Sequence, residues 1–243
     1  MRWLVGGLIL ASVGVLLRQI LQMGTTEKAR GGKRNSLRED LQAIYHPLAQ
    51  EVETNSTILG ITLNDAFEER EANRHEMAWN AVRLARGEWD RLSDLVVGLL
   101  GVATKFLPAT NGVVPLRRVA VSHFKSRAVM DYVGLYEFLD QILFSSKHRF
   151  ALQLRFLFRA TAVLGKEFKH TCREGALTLD SSDELWTRLD FYFHDFDLIA
   201  KETLLAFRTL LACQSPERAQ ELALDLHVLL ERGMRVFVSP SNQ

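Results

Sequence analysis

Ala78, Val82, Ala85, Trp89, Leu92, Val96, Leu99, Ala103 and Phe106 are separated alternately by four and three residues. The alternation averages about 3.5 residues, the repeat of helices packed with a left-handed twist. It predicts one long helix that ends at Pro108, since proline has no amide hydrogen to continue the ladder. The same alternation runs through Val121, Phe124, Ala128, Tyr132, Leu135, Leu139 and Ile142. It recurs at Phe150, Leu154, Leu157, Thr161, Leu164 and Phe168, then at Leu185, Leu189, Tyr192, Phe196, Ile199, Thr203, Ala206, Leu210 and Cys213. A last run is Ala219, Leu222, Leu226, Leu229, Gly233 and Val236. No segment alternates with the two-residue period of a strand.

The predicted fold is therefore all-α, an antiparallel bundle of about six helices near 37–54, 62–107, 116–145, 147–173, 181–213 and 216–238. Ser36-x-x-Glu39 and Ser181-x-x-Glu184 have the form of capping boxes, and Ser215-Pro216 places proline in a first turn. Pro47 is expected to kink or split the first helix, and Gly87, Gly98 and Gly101 to permit close helix approach in the second. Leu95–Thr104 is apolar but too short to span a bilayer.

The N-terminus follows a different pattern. From Trp3 to Leu17 it carries no charge, and the apolar character continues past Arg18 to Met23. A helix of that length spans a hydrocarbon layer of roughly 30 Å if Arg18 reaches the interface. The expected organisation is a transmembrane anchor over 1–23, a basic linker over 24–36 and a helical domain over 37–243. A cleaved signal peptide is the rival reading, but no small-x-small site closes the apolar run. Arg18, Lys28, Arg30, Lys33, Arg34 and Arg38 follow the span and only Arg2 precedes it. The positive-inside rule then puts the N-terminus outside and the large domain in the cytoplasm. Asn55-Ser56-Thr57 matches a glycosylation sequon that would be silent there.

Composition narrows the chemistry. With 30 basic and 29 acidic residues the net charge is +1, so no global field favours nucleic acid. Two distant cysteines suggest neither a disulfide framework nor a zinc knuckle. No phosphate-binding, dinucleotide-binding or nucleophile-elbow motif occurs, so no catalytic residue and no cofactor are assigned. His75-Glu76 begins like H-E-x-x-H, but Trp79 occupies the second histidine position. Glu167-x-x-His170 has di-iron spacing but occurs once where two are required. Cys172 is the thiol whose neighbours Lys169, His170 and Arg173 would lower its pKa.

Charge patterning provides the candidate site. From Ser146 to Arg173 there are seven Lys or Arg residues against Glu167 alone. On a helical wheel, Arg155, Arg159, Lys166, Lys169, His170 and Arg173 share one sector opposite Phe150, Leu157, Leu164 and Phe168. Such a face suits an acidic protein surface or anionic lipid. It could instead be neutralised from within by the acid-rich segments Glu39–Glu76 or Asp180–Asp197.

The segment LDFYFHDFDLIAKE, Leu189–Glu202, combines three patterns. Tyr192 and Phe196 lie in the core seam, while Asp190, His194, Asp197 and Lys201 form a charged strip, read as solvated rather than metal-binding. Phe191, Leu198 and Leu205 form a third, apolar stripe, either covered by another helix or used for docking.

The expected function is a membrane-anchored helical adaptor or scaffold. It would act through an acidic protein partner, or anionic lipid, at the cytoplasmic membrane face. The alternative is a helical enzyme or carrier with a metal or apolar ligand between the helices. The predicted orientation has a direct consequence. A C-terminal tag is digested by protease added to the cytoplasmic face and survives protease added outside; the reverse pattern refutes the topology.

Overall fold

The computed structural model describes residues 36–107, 121–179, 182–213 and 215–238. These form helices α1 (Ser36–Glu71), α2 (His75–Phe106), α3 (Arg127–Ile142), α4 (Ser146–Thr178), α5 (Asp183–Cys213) and α6 (Pro216–Val238), with a short 3-10 turn at Val121–His123. No strand occurs among the described residues. The anchor predicted over 1–23 and the linker 24–36 up to its last residue lie outside the described residues. No helix among the described residues is long and apolar enough to cross a membrane.

Four of the five seams are where their spacing puts them. All nine seam residues from Ala78 to Phe106 are buried, as are all six from Phe150 to Phe168. The α5 seam is buried from Leu185 to Leu210, and the α6 seam from Ala219 to Leu229. Helix α2 sits centrally against α1, α4, α5 and α6. Trp89 is its deepest anchor: the indole is wholly buried between Phe168 of α4 and Phe196 of α5. Both ring centroids lie 4.1 Å away, at interplanar angles of 14° and 18°. Burial of such a ring is worth on the order of 5 kcal/mol, with about 1 kcal/mol more for each aromatic pair.

Contacts between α1 and α5 show an antiparallel zipper. Tyr45 stacks on Phe207 and donates its hydroxyl to the Leu204 carbonyl at 2.8 Å. Ser56 donates to Asp197 at 2.7 Å, Phe67 meets Trp186 edge-on at 5.2 Å, and Arg70 pairs with Asp183. The partner numbers fall as the α1 numbers rise.

Three boundaries differ by more than ten residues from the expectation. The gap predicted between 54 and 62 does not exist, because α1 runs unbroken through Pro47 to Glu71. The carbonyl that Pro47 cannot engage belongs to exposed Ala43. The chain turns instead at Asn73, whose φ of 58° places it in the left-handed region that asparagine tolerates. Arg74 N–H donates to the Glu69 carbonyl at 2.9 Å and Asn73 N–H to that of Arg70 at 2.8 Å, the paired bonds of a Schellman cap. What was expected to be one helix over 62–107 is thus the end of α1 and all of α2.

The helix expected over 116–145 is Arg127–Ile142, and residues 108–120 lie outside the described residues. Its predicted seam is in the wrong phase. Leu135 and Ile142 are exposed, and Val129, Val133, Tyr136 and Asp140 are buried in their place. The periodicity assumed one continuous helix from Val121, but a 3-10 turn and an extended Ser126 reset the phase before α3 begins.

At two glycines of the described residues an added Cβ would come within 3.0 Å of a neighbouring helix. A Cβ at Gly98 would stand 2.5 Å from Leu229 of α6, and one at Gly175 would stand 1.9 Å from the Trp79 indole. Gly87 and Gly101 face open space, so no close approach depends on them. The obstruction at Gly175 is a rigid, buried ring, whereas Leu229 can change rotamer. Gly175→Ala is expected to lower stability by about 1–3 kcal/mol despite its better helix propensity. Urea unfolding measures this; an unchanged or raised midpoint contradicts the contact.

Candidate functional site

Helix α4 turns Phe150, Leu154, Leu157, Thr161, Leu164 and Phe168 into the core. Its opposite face follows from the 3.6-residue turn: Arg155, Arg159, Lys166, Lys169, His170 and Arg173 are all exposed. Their surroundings differ. Lys169 Nζ lies 2.8 Å from Asp90 of α2, and His170 Nε2 3.1 Å from Glu174 of its own helix. The Arg159 guanidinium lies 5.9 Å from the ring centroid of Tyr132 on α3. Arg155, Lys166 and Arg173 make no ion pair or hydrogen bond among the described residues.

The two acid-rich segments considered as internal counterions are joined to each other by Arg70–Asp183. Among the described residues, the one inter-helix counterion of the α4 stripe is Asp90, outside both segments.

Phe191, Leu198 and Leu205 are each half-buried. Leu198 packs against the core, and Lys125 Nζ lies 5.9 Å from the Phe191 ring centroid. The structure does not gather these three with the α4 cations into one described pocket.

The charged strip of α5 is built into the fold. Asp197 accepts from Ser56 of α1 at 2.7 Å and from Lys201 at 2.5 Å. His194 Nε2 donates to the His123 carbonyl at 3.1 Å. Asp190 is exposed. The residue that the sequence pattern did not single out is Asp195, which is fully buried. Its carboxylate accepts from Lys125 N–H at 2.7 Å, Ser126 N–H at 2.8 Å and the Ser126 hydroxyl at 2.6 Å. It therefore clamps the segment leading into α3, satisfying donors that a helix entrance leaves open. The available signal was an acid between seam residues Tyr192 and Phe196, a position where an unpaired charge is costly.

Cys172 reverses the sequence expectation. Lys169, His170 and Arg173 point outward while the thiol points inward, so burial pushes it up to about 12 even with Arg86 pulling the other way. A thiol held protonated is a packing group rather than a nucleophile. Glu167 is half-buried and His170 exposed, and among the described residues no three His, Cys, Asp or Glu side chains converge as metal ligands. Asn55 is buried within α1, which closes the sequon to modification of the folded domain.

Two surface clefts accompany these features. One of about 410 Å³ lies between α1 and α5 and includes Val52, Ile61, Phe193 and Leu204 together with Asp197 and Lys201. Another of about 500 Å³ is bordered by Arg38, Tyr45, His46, Glu53 and Arg208. A broader feature is the outer side of α3. Met130, Leu135, Phe138 and Ile142 are exposed along it, and Phe144 stands fully exposed in the α3–α4 turn.

The chain matches no family model, no curated protein and no solved structure.

Glu51, half-buried on α1, provides a pH-dependent test of this charge placement. Burial raises its carboxyl from 4.5 to about 7. The folded chain then holds the proton more tightly than the unfolded chain, and this contribution to stability is full at low pH and lost as pH rises to about 7. Glu51→Gln is expected to raise Tm at about pH 8 and leave it nearly unchanged at about pH 4. Thermal melts showing the same shift at both values contradict the assignment.

Proposed function

We propose that the chain is a membrane-anchored helical adaptor or scaffold working at the cytoplasmic membrane face, with an acidic protein segment as its principal partner. The 1–23 segment anchors it, with the N-terminus outside, and the basic 24–36 linker tethers the bundle. The observation that carries the reading is the set of exposed cations Arg155, Lys166 and Arg173 along one face of α4. From the first to the last they extend along about 27 Å of rigid helix. An extended or helical acidic segment can follow such a line, with each charge pair adding mainly to specificity and association rate. Anionic lipid is the second ligand class compatible with the same charges.

The second reading, a helical enzyme or carrier, draws on the cleft between α1 and α5, where apolar side chains adjoin Asp197 and Lys201. Asp197 there already accepts from both Ser56 and Lys201. The adaptor reading is preferred because its cations are unpaired among the described residues.

Replacing Arg155, Lys166 and Arg173 together with glutamate is expected to weaken co-purification of the acidic partner from membranes on the order of tenfold. Stability should change by only about 0.5 kcal/mol per site, since all three side chains are exposed. Undiminished partner recovery refutes the reading. Loss confined to vesicles containing phosphatidylserine identifies lipid as the ligand of the stripe.

A further inference from the structure

Helix α3 packs chiefly on α4, and this peripheral position leaves its outer side bare. Of the fourteen large hydrophobic residues exposed among the described residues, five fall between positions 130 and 144: Met130, Leu135, Phe138, Ile142 and Phe144. On the α3 wheel the first four occupy one side, roughly opposite Val129, Val133 and Tyr136 in the core. Phe144, at 101% exposure, stands at the tip of the hairpin. Clustering of this kind marks an interaction surface, whereas scattered single residues do not.

The charge around the patch identifies what it meets. From Gln141 to Lys166 there is no acidic residue, while Lys147, Arg149, Arg155, Arg159 and Lys166 are basic. Arg159 over Tyr132 joins the basic face of α4 to the side of α3 that leads to Leu135. The nearest carboxylate before the tip, Asp140, is buried, with its Oδ1 3.6 Å from Arg149 Nε. Asp131 and Glu137 are exposed on α3, Asp131 on the same side of the wheel as Met130 and Phe138, so the part of the patch free of exposed carboxylates is its Phe138–Phe144 end. The tip is thus a convex apolar point with cations behind it. A convex point needs a matching cavity in a protein partner, but a bilayer interface yields to it, and anionic headgroups then meet the cations.

We propose that the α3–α4 hairpin is a second membrane contact, with Phe144 and the adjoining end of α3, at Phe138 and Ile142, entering the interface of an anionic bilayer while the start of α4 lies against its headgroups. This rests on the reading that residues 1–23 hold the bundle at a membrane. It adds an orientation: the hairpin faces the bilayer, and the far part of the α4 stripe, with Lys166 and Arg173, stays available to a protein partner.

The test uses the full chain bearing Cys213→Ser, which removes the partly exposed thiol, while buried Cys172 is retained. Bimane is attached at Phe144→Cys or, as a control, at exposed Leu224→Cys on α6. The protein is reconstituted into phosphatidylcholine vesicles with or without phosphatidylserine, carrying nitroxide-labelled lipid. The expected result is quenching several-fold stronger at 144 than at 224, with a blue-shifted emission, and a smaller excess without phosphatidylserine. Co-flotation with equal quenching at both positions overturns the proposal and leaves the anchor reading intact. A label at 144 shielded from both lipid nitroxide and aqueous iodide also overturns it, showing the patch covered by another part of the chain or a second copy. Failure to co-float with any vesicle overturns the proposal and the anchor reading together.

Discussion

The Trp89 stack is the contact on which the bundle turns. One indole from α2 is held between phenylalanines of α4 and α5, so three helices share a single aromatic column. The indole Nε1 has no hydrogen-bond partner among the described residues, which costs about 1–3 kcal/mol. Stacking and burial exceed that cost, and the column fixes the rotation of each helix about its axis. Once these rotations are set, the outward face of α4 is set as well. The cationic stripe is the solvent-facing consequence of the same packing that buries Phe168.

A second aromatic cluster, Trp79 and Phe67 around Trp186, secures the end of the bundle where α1 turns into α2. Gly175 lets α4 approach close enough to receive the Trp79 ring. Against these apolar anchors the polar ties are few and directional. Asp195 is the clearest: a buried carboxylate that converges on the chain entering α3 and decides where that helix begins. With its entrance clamped to α5 and its body packed on α4, α3 is left at the periphery with one apolar side outward.

Surface chemistry thus follows from helix placement. Arg159 contacts α3 and Lys169 contacts α2, while Arg155, Lys166 and Arg173 stay directed to solvent. The Arg159–Tyr132 contact sets the basic side of α4 beside α3, next to the apolar side that α3 turns outward. The cleft between α1 and α5 is bordered by Ser56, Asp197 and Lys201, which already bind one another.

The long seams of α2, α4, α5 and α6 were legible from spacing alone, because the turn of a helix is a local property that carries every third or fourth residue to one side. The sequence by itself determined the helical class, most inward faces and the composition of the basic stripe. It did not show that α1 would run on past residue 54 or that Asn73 would turn the chain, since both depend on how flanking turns are held. The tertiary structure alone decided the phase of α3, the inward turn of Cys172, the pairing of Lys169 with Asp90 and the clamp made by Asp195. Each of these depends on partners far away in sequence. A repeat of 3.5 residues specifies which residues share a face, but only the packing of one helix against another decides where that face points.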